Sequence, residues 1–176
     1  MVRRFYLGLN SLRYGKFLVG FAFGIFLFAF LYERDHNPVY RIPMAILAIL
    51  LAITMFFYYK TKIHINKTLK QVDHLEEYEK AAMLEASFIL EDRMLVGDPL
   101  HIEEHSTNNI TKASYEEKGR KGLLHMESLE GNYDISCLNR KEAERFLAFL
   151  LKKNEGMVLY NIEAKGSGTL EELGKE

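Results

Sequence analysis

Apolar positions are distributed very unevenly along the chain. Phe17 to Tyr32 (FLVGFAFGIFLFAFLY) and Ile42 to Tyr59 (IPMAILAILLAITMFFYY) contain no charged side chain, whereas charges recur throughout the sequence from Lys60 onward. A bilayer core of ~30 Å takes about 20 helical residues. Both runs fall slightly short of that count, and their flanks extend them: Tyr14 and Lys16 precede the first, Tyr40 and Arg41 precede the second, and Lys60 and Lys62 follow it. Tyrosine favours the interface, and long basic side chains reach out to water from just inside it. The pattern predicts two transmembrane helices over 17–32 and 42–59. A short N-terminal segment (1–16) precedes them, and a tight external loop (33–41) joins them through the turn residues Asp35, Asn37 and Pro38. Pro43 falls in the first turn of the second helix, where its missing N–H costs little. A cleavable signal peptide fits less well, because Phe30-Leu31-Tyr32 places no small residue at a cleavage spacing.

Basic residues set the expected orientation. Arg3, Arg4, Arg13 and Lys16 precede the hairpin, Lys60, Lys62, Lys67 and Lys70 follow it, and only Arg34 and Arg41 lie in or beside the loop. The positive-inside bias then puts both termini in the cytoplasm, in a multi-pass protein of the inner or plasma membrane. Of these, Arg3, Arg4, Lys16, Lys60, Lys62, Lys67 and Lys70 are the candidate membrane-surface cations. Within the spans, Gly20 and Gly24 form a GxxxG, and Ala45, Ala48 and Ala52 form a second small-residue face. Such faces let helix backbones approach closely, either within the hairpin or between copies. Neither span holds an ionisable side chain, so one copy is not a transport path.

Neither proline nor glycine occurs from Met44 to Val96, and Leu69, Val72, Leu75, Tyr78 and Ala82 recur at near-helical spacing. The expectation is a juxtamembrane helix over 60–84, amphipathic from Lys67 to Leu84. Beyond it, short strands are predicted at Ser87–Leu90, Arg93–Val96, Ile110–Tyr115, Leu123–Ser128 and Tyr133–Cys137, separated by Gly, Pro, Asn and Asp turns. The Lys118-Gly119-Arg120-Lys121-Gly122 turn makes a basic tip beside Glu116 and Glu117 and reads as solvated. Asn139 then caps a helix with Glu142 as the reciprocal capping residue. Ala143, Phe146, Leu147, Leu150 and Leu151 line one face, and Gly156 is the expected stop. Met157–Ile162 suggests a last strand, and 164–176, opening on Lys165-Gly166-Ser167-Gly168, a flexible tail.

FILEDRMLVG (88–97), NNITKASYE (108–116), LLHMES (123–128), YDISC (133–137) and NRKEAERFLAFLLKK (139–153) together resemble the bacterial pleckstrin-homology-like domains. These often follow paired transmembrane helices in small bacterial membrane proteins. The resemblance implies a bent antiparallel sheet, a meander or partial barrel, capped by the C-terminal helix across 85–163, and no enzymatic activity. Inositide-binding members of the wider superfamily carry basic residues between their first two strands, where this chain has Glu91-Asp92. The expected class is thus an α-helical transmembrane hairpin joined to a small α+β cytoplasmic domain.

Composition adds few functions and removes several. The 176 residues carry a net charge of −1, which gives no field for nucleic acid. The mean hydropathy of −0.12 conceals the apolar N-terminal third. The single cysteine, Cys137, excludes a disulfide framework within one chain. His101, Glu104 and His105 form an HxxEH, the inverted zinc-protease motif, which needs a helix to put both histidines beside the glutamate. No third ligand is identifiable, and no cofactor is expected. The expected partners are the bilayer and a protein, or a second copy through the membrane helices; nothing in the sequence names a small-molecule ligand. The leading expectation is a non-enzymatic, membrane-anchored interaction or regulatory module. An alternative is a ligand-gated, membrane-disrupting oligomeric effector of the defence type, and a third reading is a zinc hydrolase using HxxEH.

Overall fold

The computed structural model describes residues 1–119 and 121–173. The chain divides into two compact units, one spanning Arg3–Thr68 and the other made of the first two residues with the chain from Leu69 onward.

The first unit is a helical hairpin of α1 (Val2–Asp35) and α2 (Arg41–Leu69). Both helices are long and apolar enough to cross a membrane. Each also runs well past its charge-free segment, so residues 2–16 and 60–69 are helix rather than separate segments. The turn uses the residues that the sequence marks for it. His36 takes a left-handed φ of 50° after α1, and Asn37 accepts a hydrogen bond from the Val39 N–H at 3.0 Å to start a short 3-10 turn, Pro38–Tyr40. Half-buried positions recur at alternating spacings of four and three on α1 (Tyr14, Leu18, Phe21, Ile25, Phe28, Tyr32) and of three and four on α2 (Met44, Leu47, Leu51, Thr54, Tyr58). This is the pattern of two antiparallel helices packing along one seam. The remaining faces stay apolar and uncovered, with Phe26 69% and Phe56 64% exposed.

The expected juxtamembrane helix over 60–84 ends early. α2 stops at Leu69; turns follow, then a 3-10 turn at Glu77–Lys80, and Ala82–Leu84 is already strand β1. The near-helical stripe loses to tertiary contacts: Tyr78 is fully buried and donates to a Glu104 carboxylate oxygen at 2.7 Å.

In the second unit, β1, β2 (Ser87–Ile89), β3 (Arg93–Asp98) and β4 (His101–Ser106) pair in sequence as one antiparallel meander. β5 (Ile110–Lys118), β6 (Lys121–Ser128) and β7 (Gly131–Cys137) form a second meander, and β8 (Val158–Tyr160) joins it parallel to β5. Helix α3 (Arg140–Lys153) packs against β5, β6 and β7. The core lies between: Met94 from the first sheet, Leu124, Met126 and Ile135 from the second, and Phe146, Leu147 and Leu150 from α3. Buried positions that alternate with half-buried or exposed ones along β6 and β7 supply one wall, and the i, i+3, i+4, i+7 stripe of α3 supplies another.

Two strands, β1 and β4, arise where the sequence suggests none. β4 is polar apart from Ile102 and gains its conformation by pairing with β3 from Arg93↔Ser106 to Asp98↔His101. The turn between them depends on Gly97, whose φ is 124° and where a Cβ would lie 1.8 Å from the His101 carbonyl oxygen.

α3 begins at its predicted cap, where Asn139 accepts from the Glu142 N–H at 3.0 Å, but the Glu142 carboxylate accepts from the Leu138 N–H at 2.5 Å, one residue before the Asn139 N–H of a reciprocal capping box. Its end differs from expectation. Asn154, not Gly156, closes the helix, with a side-chain amide that donates to the Leu150 and Thr107 carbonyls. The part of the expected flexible tail that is described, 164–173, is folded back as well, 174–176 lying outside the described residues: α4 (Leu170–Leu173) lies against α3 and β1, and Leu173 is buried.

Candidate functional site

The HxxEH stretch lies on strand β4, not on a helix. Alternation puts His101, Glu103 and His105 on one face and Glu104 on the other, so the motif's histidines do not converge with its glutamate. His105 stacks on the Tyr133 ring with centroids 3.9 Å apart, and Glu104 is taken by Tyr78 and by Arg93, whose Nη1 is 3.5 Å away. Among the described residues no group of three His, Cys, Asp or Glu side chains is placed to hold a metal. The buried Cys137 is no better suited to chemistry: burial pushes its thiol pKa up, with Glu142 and Glu85 adding to the shift, so the thiolate is disfavoured.

Two charged clusters organise the β domain. Arg93 on β3 reaches back to the segment after α2. Its guanidinium donates to Glu77 at 2.5 Å and to the Asp73 carbonyl at 3.3 Å, and it lies over the Tyr78 ring. The hydrogen bond to Glu77 raises the Arg93 pKa, and burial followed by the hydrogen bond to Glu104 raises that of Tyr78, so both stay protonated. On the outer face of the second sheet, His125 of β6 stands between β7 and β5. Its Nδ1 is 2.7 Å from Asp134 and its Nε2 3.2 Å from Glu116. These hydrogen bonds, Asp134 first, raise its pKa above 6.5. Arg120 of the basic hairpin tip lies outside the described residues, while Lys121 beside it pairs with Glu85.

The small residues of the hairpin separate into two groups. Gly24 sits in the seam, where an added Cβ would lie 2.8 Å from Leu47 Cδ1; at Gly20 the same atom would meet nothing within 4 Å. Ala45, Ala48 and Ala52 are likewise outside the seam and exposed. Hydrogen bonds join the two helices at the end away from the turn, Arg3 to Asn66 at 2.8 Å, Asn10 to the Tyr58 carbonyl at 3.3 Å, and Tyr14 with Thr61 at 3.4 Å, and at the turn end Arg41 donates to the Tyr32 hydroxyl. The other basic candidates, Arg4, Lys16, Lys60, Lys62 and Lys67, lie along these same helical ends, and Lys70 follows α2.

Two clefts flank the C-terminal turn of the β domain. One of about 530 Å³ is bounded by Phe149, Lys152 and Lys153 of α3; the other, of about 460 Å³, by Ala82, Ile89 and Leu90. Leu170 and Glu171 form the wall between them. Sequence reasoning missed this region because Gly166, Ser167 and Gly168 read as linker; the spacing of Leu170 and Leu173 was the available signal.

No family model, curated protein or solved structure matches this chain.

Proposed function

We propose that this chain is a non-enzymatic, membrane-anchored interaction module: a transmembrane hairpin with both termini in the cytoplasm, presenting a pleckstrin-homology-like domain to a protein partner at the inner face of the membrane. The observation that carries the reading is the polarity of the hairpin. Over 17–32 and 42–59 its outer surface is uncharged and apolar, while its basic residues, Arg34 and Arg41 apart, gather at the end away from the turn, and its polar interhelical contacts lie at the two ends of the hairpin rather than along the apolar spans. Exposed apolar surface on this scale is tolerated in lipid and not in water. The domain reading is supported by strand order: a four-stranded meander, a three-stranded meander, then a helix packed on the second sheet. A non-catalytic role is in keeping with the placement of the nucleophile and metal-ligand candidates, since Cys137 is buried and His101, Glu104 and His105 diverge.

Purification of the intact protein from membranes in mild detergent tests this function. A stoichiometric protein partner is the expected result, and repeated recovery of the chain alone would count against it. Orientation is tested with single cysteines in a Cys137→Ser background. His36→Cys should react with an impermeant maleimide in intact spheroplasts, and Leu129→Cys, at a position 79% exposed, only after permeabilisation.

A second reading, a membrane effector that assembles with copies of itself, is favoured by the outward position of Gly20, Ala45, Ala48 and Ala52. Cross-linking in membranes that traps dimers or higher species, and loses them in an Ala48→Ile, Ala52→Ile variant, would support it; monomer throughout would remove it.

A further inference from the structure

The C-terminal segment is built to close over the β domain and also to leave it. Its approach depends on glycine. Gly168 has a φ of 64°, and a Cβ there would lie 2.7 Å from the Ala148 carbonyl oxygen of α3. The segment is held by Lys165, whose N–H donates to the Glu144 carbonyl at 3.2 Å and whose Nζ is 3.8 Å from the Glu144 carboxylate, by Arg145 to the Glu172 carbonyl at 3.1 Å, and by an internal bond from Ser167 N–H to the Glu172 carboxylate at 2.7 Å. Its apolar contribution is two leucines, Leu170 half-buried and Leu173 buried. Burial of two leucines is offset closely by the entropy of ordering the backbone from Lys165 to Leu173, so this segment opens at little cost. Empty clefts remain on both sides of the turn, so the groove is longer than the segment that occupies it. Charge complements it on balance: the occupant brings Glu171 and Glu172, and the rim brings Lys80, Arg145, Lys152 and Lys153 against the carboxylate of Glu91.

We propose that Leu170–Leu173 is a displaceable cis ligand, a strap over a peptide-binding groove between α3 and β1–β2 that accepts an acidic segment with two leucines three residues apart from a protein partner. The assignment rests on the reading of the domain as an interaction module and names its binding site. Binding in trans requires the strap to lift, so the tethered segment, at high effective concentration, tunes affinity for the partner.

The test uses the full chain in detergent and a fluorescein-labelled peptide of the strap sequence, KGSGTLEELGKE. A chain ending at Ala164 should bind the peptide by fluorescence anisotropy, and the wild type should bind it at least about tenfold more weakly. Gly168→Val in the full chain should restore binding, and strap amides in the wild type should exchange hydrogen at least about a hundredfold faster than those of Leu147 and Leu150. No binding to the truncated chain would overturn the proposal. So would failure of that chain to fold, or strap exchange as slow as that of α3, because the segment would then be core. A dimer formed by the wild type and lost on truncation would assign the groove to a second copy and overturn the partner assignment. Recovery of the wild type alone from membranes, with peptide binding intact, would remove the interaction function and leave the groove standing.

Discussion

The side-chain amide of Asn154 donates to the carbonyl oxygen of Thr107 at 2.8 Å, tying the end of α3 to the loop between β4 and β5. The same nitrogen donates to the Leu150 carbonyl at 3.0 Å, so one buried amide caps a helix and fastens it to a distant turn. Replacing Asn154 with Ala leaves the Thr107 carbonyl without this donor. The expected cost is about 1–3 kcal/mol of domain stability, read as a lowered thermal midpoint by circular dichroism in detergent.

Arg93 holds the segment that leaves α2 through Glu77 and the Asp73 carbonyl, and holds β4 through Glu104. Arg93→Met keeps the apolar stem and removes every one of these bonds. A loss of about 2–3 kcal/mol is expected. Proteolysis between Leu69 and Ala82 should then be faster than in the wild type.

His125 makes stability depend on pH. Its folded pKa is raised by Asp134 and then Glu116, so its contribution is fully present below the unfolded value of 6.5 and is lost as pH rises through the raised folded value. The side chain is 41% exposed, so the effect is small. Thermal midpoints should fall across that interval in the wild type and less in His125→Gln; equal slopes would refute the assignment.

Gly24 and Gly20 should respond oppositely to enlargement. Gly24→Leu drives a side chain into Leu47 and should loosen the hairpin by about 1–3 kcal/mol. Gly20→Leu meets nothing within the hairpin and should leave its stability unchanged, altering only contacts with other membrane helices. Gel mobility of the two variants as the detergent is made harsher separates the outcomes.

Legibility from sequence followed locality. α3 was readable because cap, stripe and burial all lie within one short stretch, and β5 to β7 because their alternation matches their burial. The connector misled because Tyr78 gains its place from Glu104 and Arg93, well downstream, rather than from a helical neighbour. β4 was hidden because one buried residue, Ile102, is too little pattern, and its strand exists through β3. For the groove, Gly166 to Thr169 carry the composition of a linker, and the contacts that dock the segment, such as the close approach of Gly168 to Ala148 and the burial of Leu173, are visible only in three dimensions. The small-residue faces were visible in sequence, but which of them faces the partner helix was not, because Gly20 and Gly24 are one turn apart and only geometry separates them.

The parallel pairing of β8 with β5, Lys112↔Val158 to Ser114↔Tyr160, also sets an order of events during synthesis. A ribosome must make β6, β7 and α3 before β5 meets its last neighbour, so until then that strand has an unsatisfied flank. The hairpin needs only adjacent segments and is complete long before. On the proposed membrane reading, anchorage therefore precedes closure of the domain, and the nascent chain would wait tethered at the bilayer, where its open strand is kept from meeting others in bulk solution.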